Sequence, residues 1–471
     1  MKSTVVEKYE VGFWVASCLA LSLSMLSWVN PVLIRGLNRH LFHQSAQAAP
    51  AEWLYLVLRL PLSAVLVWVI VRLPVDSAVR TAKPAARRSS VDRPRIFDPL
   101  MALRALACLL VLMGHFFLVF FPFTGNGYPH GALTLLRASP WGGVWVFFTL
   151  SGFLMGKGFA AGRYSLDGRG MRAFLRNRFI RIAPVYYGAL LLITILRYPA
   201  MLHGHNLWMF LDVCLFDFRG DLQIDSIVAL WSVSTEMQFY LLVPALALVL
   251  LSLRNRLGKG FLIVPALVLV VETALRTVLV HARVTPTASV LYTPLMTNLD
   301  MFIAGMSISM LDVPKVVSER VRKMLSALLS VGIVALYVGI SYLTQHRHQM
   351  NMSLEVFWAR CPVLCVLPVA LYIYLAEMHG KVKLQGGFAT RFLLLVQGMG
   401  TLTYCIYIFH SDVFLANATL VPRVHSLTVS LDQFPLAVLE TVVVAWFFYF
   451  FIEKPFDLKK KIPVTPLADA P

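Results

Sequence analysis

About twelve stretches of this chain are apolar over roughly 20 residues, long enough for a helix to cross about 30 Å of hydrocarbon. They lie near 12–33, 53–71, 99–122, 141–160, 182–200, 227–251, 261–281, 290–311, 325–344, 356–377, 393–416 and 435–452. In lipid a backbone must satisfy its own hydrogen bonds, which only helices and closed barrels do. These runs are too long and too evenly apolar for barrel strands, which alternate. The sequence therefore predicts an all-α fold, a polytopic helical membrane protein with about 12 transmembrane helices. Composition agrees: 58% of the 471 residues are hydrophobic and 14% are charged, too few charges to cover a soluble domain of this size.

The net charge of +18 raises nucleic acid as a partner, but its distribution argues otherwise. With the amino terminus in the cytosol and strict alternation, inner segments hold 29 of the 42 Lys and Arg, outer segments 7 and the spans 6. That asymmetry is the positive-inside pattern, so both termini are expected in the cytosol, with the bacterial inner membrane as the location. A basic inner face suits anionic membrane lipid or a polyanionic cofactor. No nucleic-acid partner is expected, because no soluble module is there to carry one. Five of the six cysteines fall inside spans, Cys214 alone lies in an outer segment, and there is no CxxC, so neither a disulfide framework nor a zinc site is expected.

The stretch RTAKPAARRSSVDRPRIFDP, from residue 80, is basic, holds three prolines and lacks apolar periodicity. It divides the chain into a two-helix membrane hairpin (1–79), a basic cytosolic linker (80–98), a ten-helix body (99–458) and a short cytosolic tail (459–471). The first apolar run is long for a signal peptide, and Arg35 and Arg39 precede the small residues of AQAAP, so it reads as a retained helix. No internal repeat stands out, which weakens a transporter of the inverted-repeat kind.

Ionisable side chains inside spans are costly and face a cavity or a partner, which makes them the first functional candidates. In RALACLLVLMGHFF, residues 104–117, His115 follows Arg104 by eleven positions. Eleven steps of 100° end only about 20° from three full turns and advance roughly 16.5 Å, so both side chains share a face. Arg104 then sits near the cytosolic end and His115 well inside. Arg104 also reads as a side chain snorkelling to the interface, and His115 as a packed histidine bonded to a neighbouring helix. A near-neutral imidazole equally suits proton transfer at a hydroxyl. In WSVSTEMQFYLL, which begins at Trp231, Ser232, Glu236 and Tyr240 recur every four positions and line one face. Glu236 is deep enough to need a partner; it either orients His115 or pins helix packing.

TLTYCIYIFHSDVF sets Tyr404, Tyr407 and His410 on one face. His410 lies toward the outer side, where an interfacial role is equally open. Glu272 and Arg276, at i,i+4, are expected to neutralise each other as a structural pair. In FFTLSGFL, Ser151 and Gly152 permit close helix approach. The stretch lacks the first glycine of GxSxG, so Ser151 reads as packing or substrate positioning rather than as a nucleophile. RNRFIRIAPVYY puts Arg178 and Arg181 at a cytosolic mouth close to an expected helix start, where guanidinium groups and a helix terminus together bind anions. Ordinary positive-inside charge is the alternative. The outer segment 201–226, with His203, His205, Asp212, Asp217, Asp221 and Asp225, suits a saccharide or is simply solvated.

In their order these segments resemble acyltransferase family 3, integral membrane enzymes that acylate sugars and some other hydroxyl compounds. The Arg-x10-His spacing of Arg104 and His115 is followed by GGVWVFFTLSGFLMGKGF, RNRFIRIAPVYY, WSVSTEMQFYLLVP, GTLTYCIYIFH and, at 452–456, IEKPF, so the similarity spans roughly residues 97–458. The resemblance implies a ten-helix acyltransferase body, acyl-coenzyme A (most simply acetyl-coenzyme A) as a cytosolic co-substrate, and a carbohydrate or glycolipid acceptor. It carries over Arg104 and His115 as the essential pair and Glu236 as a catalytic-site carboxylate. Arg178 and Arg181, with Tyr186 of the same segment, carry over as contacts to coenzyme A. Ser151, Trp231, Ser232, Tyr240, Asp300 (in NLDMFIAGM), Tyr407 and His410 are expected to meet substrate, and no metal is expected. The hairpin lies outside the shared body, and the SGNH-type periplasmic domain fused to some relatives is not expected here; if transfer needs one, a separate periplasmic transferase supplies it. The expected chemistry has His115 as general base toward a sugar hydroxyl or as a transient acyl acceptor. A twelve-helix transporter or flippase, and a catalytically silent scaffold in a glycan assembly complex, are the competing readings.

Overall fold

The computed structural model describes residues 96–120, 138–203, 229–282, 291–316, 318–347, 350–384, 388–420 and 427–458, with a few single positions between 207 and 216. The expected amino-terminal hairpin, most of its linker and the tail lie outside the described residues. In chain order the long elements are α1 (Pro99–Phe120), α2 (Pro140–Ala160), α3 (Gly168–Arg197), α4 (Leu230–Leu257) and α5 (Ile263–His281). They continue with α6 (Leu299–Ser309), α7 (Glu319–His346), α8 (Leu354–His379), α9 (Phe388–Leu420) and α10 (Leu427–Phe448). A π turn, Tyr449–Glu453, and a short α11, Lys454–Leu458, close the described chain. Among the described residues eight stretches are long and apolar enough to cross a membrane, and one of them, Leu230–His281, is α4 and α5 run together. This is an all-α polytopic membrane protein.

Local chemistry sets the helix ends. Ser139 caps α2, accepting from the Gly142 N–H at 3.2 Å, and Pro140 fills the first turn, where no N–H is needed. Gly258 at φ 55° turns the chain out of α4 through a 3₁₀ turn into α5, a conformation that costs glycine little. Asp167 caps α3 by accepting from the Gly170 N–H at 2.7 Å. That cap starts the helix well before the apolar run expected at 182–200, so the basic stretch ahead of that run is largely helical. Arg178 and Arg181 therefore lie several turns inside α3 rather than near its start, and a helix-terminus contribution to anion binding does not apply to them.

The run 290–311 also departs from expectation: only Leu299–Ser309 is α-helical. Pro294 has no N–H to give a helix and adopts extended dihedrals, a 3₁₀ turn follows it, and Asn298 Nδ2 bonds the Tyr292 and Pro294 carbonyls at 2.8 and 2.7 Å. Eleven residues reach about 16 Å, half the hydrocarbon, so α6 survives by burial inside protein. Asp300 through Ser307 are all buried. Gly152 of α2 and Gly305 of α6 make this fit: a Cβ on Gly152 would collide with the Phe302 carbonyl, and one on Gly305 with the Thr149 carbonyl. Small residues at such crossings let backbones touch, the role the sequence suggests for Gly152. Gly305→Val is expected to cost about 1–3 kcal/mol or more, because backbone rather than a flexible side chain must move. Thermal melts in detergent would read this as a lowered midpoint.

The helix ends that the charge pattern assigns to the inner side are tied together by polar contacts. Strand Ile96–Phe97 pairs antiparallel with Val382–Lys383, and Gln397 bridges the Asp98 N–H and the Ile96 carbonyl, each at 3.0 Å. Glu377 at the end of α8 receives Lys157 at 2.6 Å and Lys315 at 3.3 Å. Such exposed pairs add little stability, about 0–1 kcal/mol each, so they fix geometry more than energy. On the outer rim of the bundle, Val270, Val271 and Val278 of α5 and Val331 and Val334 of α7 are exposed, as suits a lipid-facing surface.

Candidate functional site

One cavity, enclosing about 790 Å³ of space that includes open solvent, runs among α1, α2, α3, α4 and α9. Its charged lining is Arg104 from α1, Arg178 and Arg181 from α3, and Glu236 from α4. Ser151, Ser232, Tyr240, Thr403, Tyr404 and Tyr407 supply the polar remainder, and Phe147 and Phe148 part of the apolar wall. Each position follows from helix register. Ser232, Glu236 and Tyr240 share one face of α4, as their spacing predicts. Gly400 packs against the Met101 carbonyl, which brings Tyr404 one turn later to the level of Arg104.

Glu236 is held in place by two hydroxyls. Ser151 Oγ and Tyr240 OH each donate to its Oε1 at 2.5 Å. The Ser151 bond joins α2 to α4 and gives Ser151 a partner that its own sequence context does not suggest. Ser232 Oγ donates to Tyr407 OH at 2.7 Å, and Tyr404 OH donates to the Ile182 carbonyl at 2.8 Å. Arg178 stacks over Phe174 at 5.8 Å, and its buried Nε has no hydrogen-bond partner among the described residues. Half-buried Arg104 feels the positive charge of Arg181 and the negative charges of Glu236 and Glu453. Three guanidinium groups against one carboxylate give the cavity lining an excess of positive charge, which favours an anion over a cation.

His115 does not line this cavity. It is linked to the cavity wall through His410, whose ring lies 5.6 Å from that of Tyr407, itself edge to face with Phe147 at 6.0 Å. Its partner is His410, not Glu236: His410 Nε2 lies 3.0 Å from His115 Nδ1. The network assigns the protons. His410 Nδ1 faces the Tyr407 carbonyl at 2.6 Å, so it carries hydrogen and leaves Nε2 as acceptor. His115 Nδ1 then donates to that Nε2 and lies 3.1 Å from a second acceptor, the Val111 carbonyl. With Nδ1 protonated, Nε2 of a neutral His115 keeps its lone pair and is the nitrogen able to take a proton.

The remaining candidates fall elsewhere. Tyr186 is fully buried and donates to the Val213 carbonyl at 2.6 Å, anchoring the segment that follows α3 instead of lining the cavity. In that segment, burial pushes the Cys214 thiol up to about 11, which leaves it protonated and unreactive near neutral pH. Trp231 packs on Tyr292 with ring centres 4.4 Å apart. Asp300 is fully buried and ion-paired to Arg276 at 2.7 Å, and it is not among the residues lining the cavity. Two features come into view that the sequence does not signal: Glu453, buried at the end of the π turn, and His410 as the neighbour that fixes the His115 ring. No spacing within one helix announces either contact, since both join distant helices.

Fold and site define a helical membrane protein with an arginine-lined internal cavity and a hydrogen-bonded histidine pair outside its lining. The family model described as an acyltransferase domain, acyltransferase family 3, matches residues 100–450, and the chain belongs to that family of membrane acyltransferases. No curated protein and no solved structure matches the chain.

Proposed function

We propose that this protein moves an acyl group, most simply acetyl, from acyl-coenzyme A to a hydroxyl of a cell-envelope carbohydrate or glycolipid. The observation that carries the reading is the clustering of Arg104, Arg178 and Arg181 on one cavity inside an apolar bundle. Half-buried guanidinium groups, one of which (Arg178) has a buried Nε with no partner among the described residues, suit a polyanion, and the phosphates of coenzyme A supply one. The donor enters from the basic, cytosolic side, and both termini lie in the cytosol of a cell whose inner membrane holds the protein. The thioester end reaches past Tyr407 toward His115, which shares the Arg104 face of α1 about 16.5 Å farther along.

There the acceptor O–H gives its proton to His115 Nε2 as the oxygen attacks the thioester carbon. The C–S bond breaks, and the proton leaves with the coenzyme A sulfur as the thiol. His410 holds the imidazole in the Nδ1–H tautomer and stabilises the imidazolium that forms, so the orienting role expected of Glu236 passes to it. Glu236, fixed by Ser151 and Tyr240, positions the arginines and the donor instead.

Proteoliposomes supplied with acetyl-labelled acetyl-coenzyme A and envelope glycan extract test the proposal. Label should appear on glycan with release of free thiol. Label that crosses the membrane still attached to its donor would mean a transporter. Arg178→Gln and Arg181→Gln should each raise KM for acetyl-coenzyme A about tenfold to a hundredfold, the worth of a charge-assisted hydrogen bond, with a smaller change in kcat.

A further inference from the structure

The IEKPF segment holds a buried carboxylate that the acyl-transfer steps do not use. Glu453 is 3% exposed, at the last position of the π turn Tyr449–Glu453. A π turn carries one residue more than an α turn, so the residues after it rotate by about 100° from their former register. That turn packs against α3, with Ile452 beside Gly188. Cys405 Sγ donates to Glu453 Oε2 at 3.3 Å. Cys405 follows Tyr404, which lines the cavity and bonds the carbonyl of Ile182, the residue after Arg181. Gly400, resting on the Met101 carbonyl, sets this part of α9 at the level of Arg104. The Glu453 charge acts on Arg104 together with that of Glu236 and against that of Arg181.

We propose that Glu453 is a positioning residue: the inner counter-ion that holds the guanidinium groups of Arg104 and Arg181 in place behind the cavity wall. Like charges confined in a low-dielectric space repel strongly, and without an anion of its own the arginine group would spread or draw apart when no donor is bound. Glu236 answers this from the α4 side, where it is tied to Ser151 and Tyr240. Glu453 answers it from the π turn, on the side of α3 and α9. Three guanidinium groups against two carboxylates leave one net positive charge, enough to favour a polyanionic donor without leaving the empty site unbalanced.

The role rests on the proposed donor only for its kinetic consequence, so the test has two parts. In a double-mutant cycle on the full chain in detergent, Glu453→Gln should lower the melting midpoint. Arg104→Gln made on top of Glu453→Gln should restore part of the loss, since it removes the charge left unbalanced. Additive losses would overturn the proposal whatever the protein's substrate. In the acetyl-coenzyme A assay, Glu453→Gln should lower kcat at least tenfold, leave KM for the donor equal or lower, and steepen the dependence of KM on ionic strength. Glu453→Asp should recover most of kcat. Glutamine and aspartate variants equally impaired, with a raised donor KM, would mark a packing residue and overturn the positioning role. A thermal cycle that couples while no acetyl transfer occurs in any variant would leave the counter-ion in place and sink the donor assignment instead.

Discussion

His115→Ala should lower acyl transfer by about 10²–10⁴-fold, the usual contribution of a positioned general base, with little change in membrane abundance. The magnitude follows from the geometry around one nitrogen. His115 Nε2 is the nitrogen left open to take a proton, because Nδ1 is committed to His410 Nε2 at 3.0 Å and lies near the Val111 carbonyl. The ring is half-buried on α1, so alanine opens little core and removes the base with little of the fold. Whether His115 takes a proton or briefly carries the acyl group, alanine removes the nitrogen that does so.

His410 separates the two parts of the role. His410→Leu leaves His115 free to rotate and to swap tautomers, and should cost about ten- to a hundredfold in kcat. His410→Gln retains a side-chain acceptor and should recover part of that loss, with the donor KM unmoved in both. The check is kcat and KM for acetyl-coenzyme A on protein matched for abundance. Full activity in His115→Ala would remove the mechanism.

The sequence makes the bundle legible and the site only in outline, for reasons that particular residues show. Apolar length is a local property, so α1, α2, α4, α5 and the helices from α7 to α10 lie where the hydropathy runs place them. The run at 290–311 misleads because hydropathy does not register what Pro294 and Asn298 do to backbone hydrogen bonding. The start of α3 is hidden because basic residues read as loop, although Asp167 is a good cap. Within one helix, periodicity brings Ser232, Glu236 and Tyr240 to the same cavity. Across helices it is silent. Nothing in RALACLLVLMGHFF says that its histidine meets one 295 positions later, or that Glu236 turns to Ser151 and Tyr240. Pairing by depth alone favours Glu236 for His115, whereas packing of α9 against α1 gives the place to His410.

The second large effect is on stability and centres on Arg276, which is 1% exposed. Its guanidinium fills a socket made by three elements besides its own helix. Nη2 reaches Asp300 at 2.7 Å, Nη1 reaches the Thr297 carbonyl at 2.8 Å and Glu272 at 3.4 Å, and Nε reaches the Ala359 carbonyl at 3.2 Å. The i,i+4 pair with Glu272 is thus the weaker part of the arrangement. The stronger part pins the short, fully enclosed α6 and its preceding turn to α5 and α8. Removing one partner of a buried ion pair costs about 3–5 kcal/mol, because the other charge stays behind without compensation. Arg276→Met should therefore lower stability by that amount, seen as a large fall in melting midpoint and in membrane abundance. Methionine matches much of the arginine stem in volume, so lost packing accounts for a minor share. Adding Glu272→Gln and Asp300→Asn removes both stranded carboxylates and should recover most of the loss, since neutral groups of similar shape satisfy the same space at lower desolvation cost. Asp300→Asn alone should lower the midpoint while leaving KM for acetyl-coenzyme A and acceptor unchanged in the folded fraction. A raised acceptor KM at unchanged stability would return Asp300 to the substrate site.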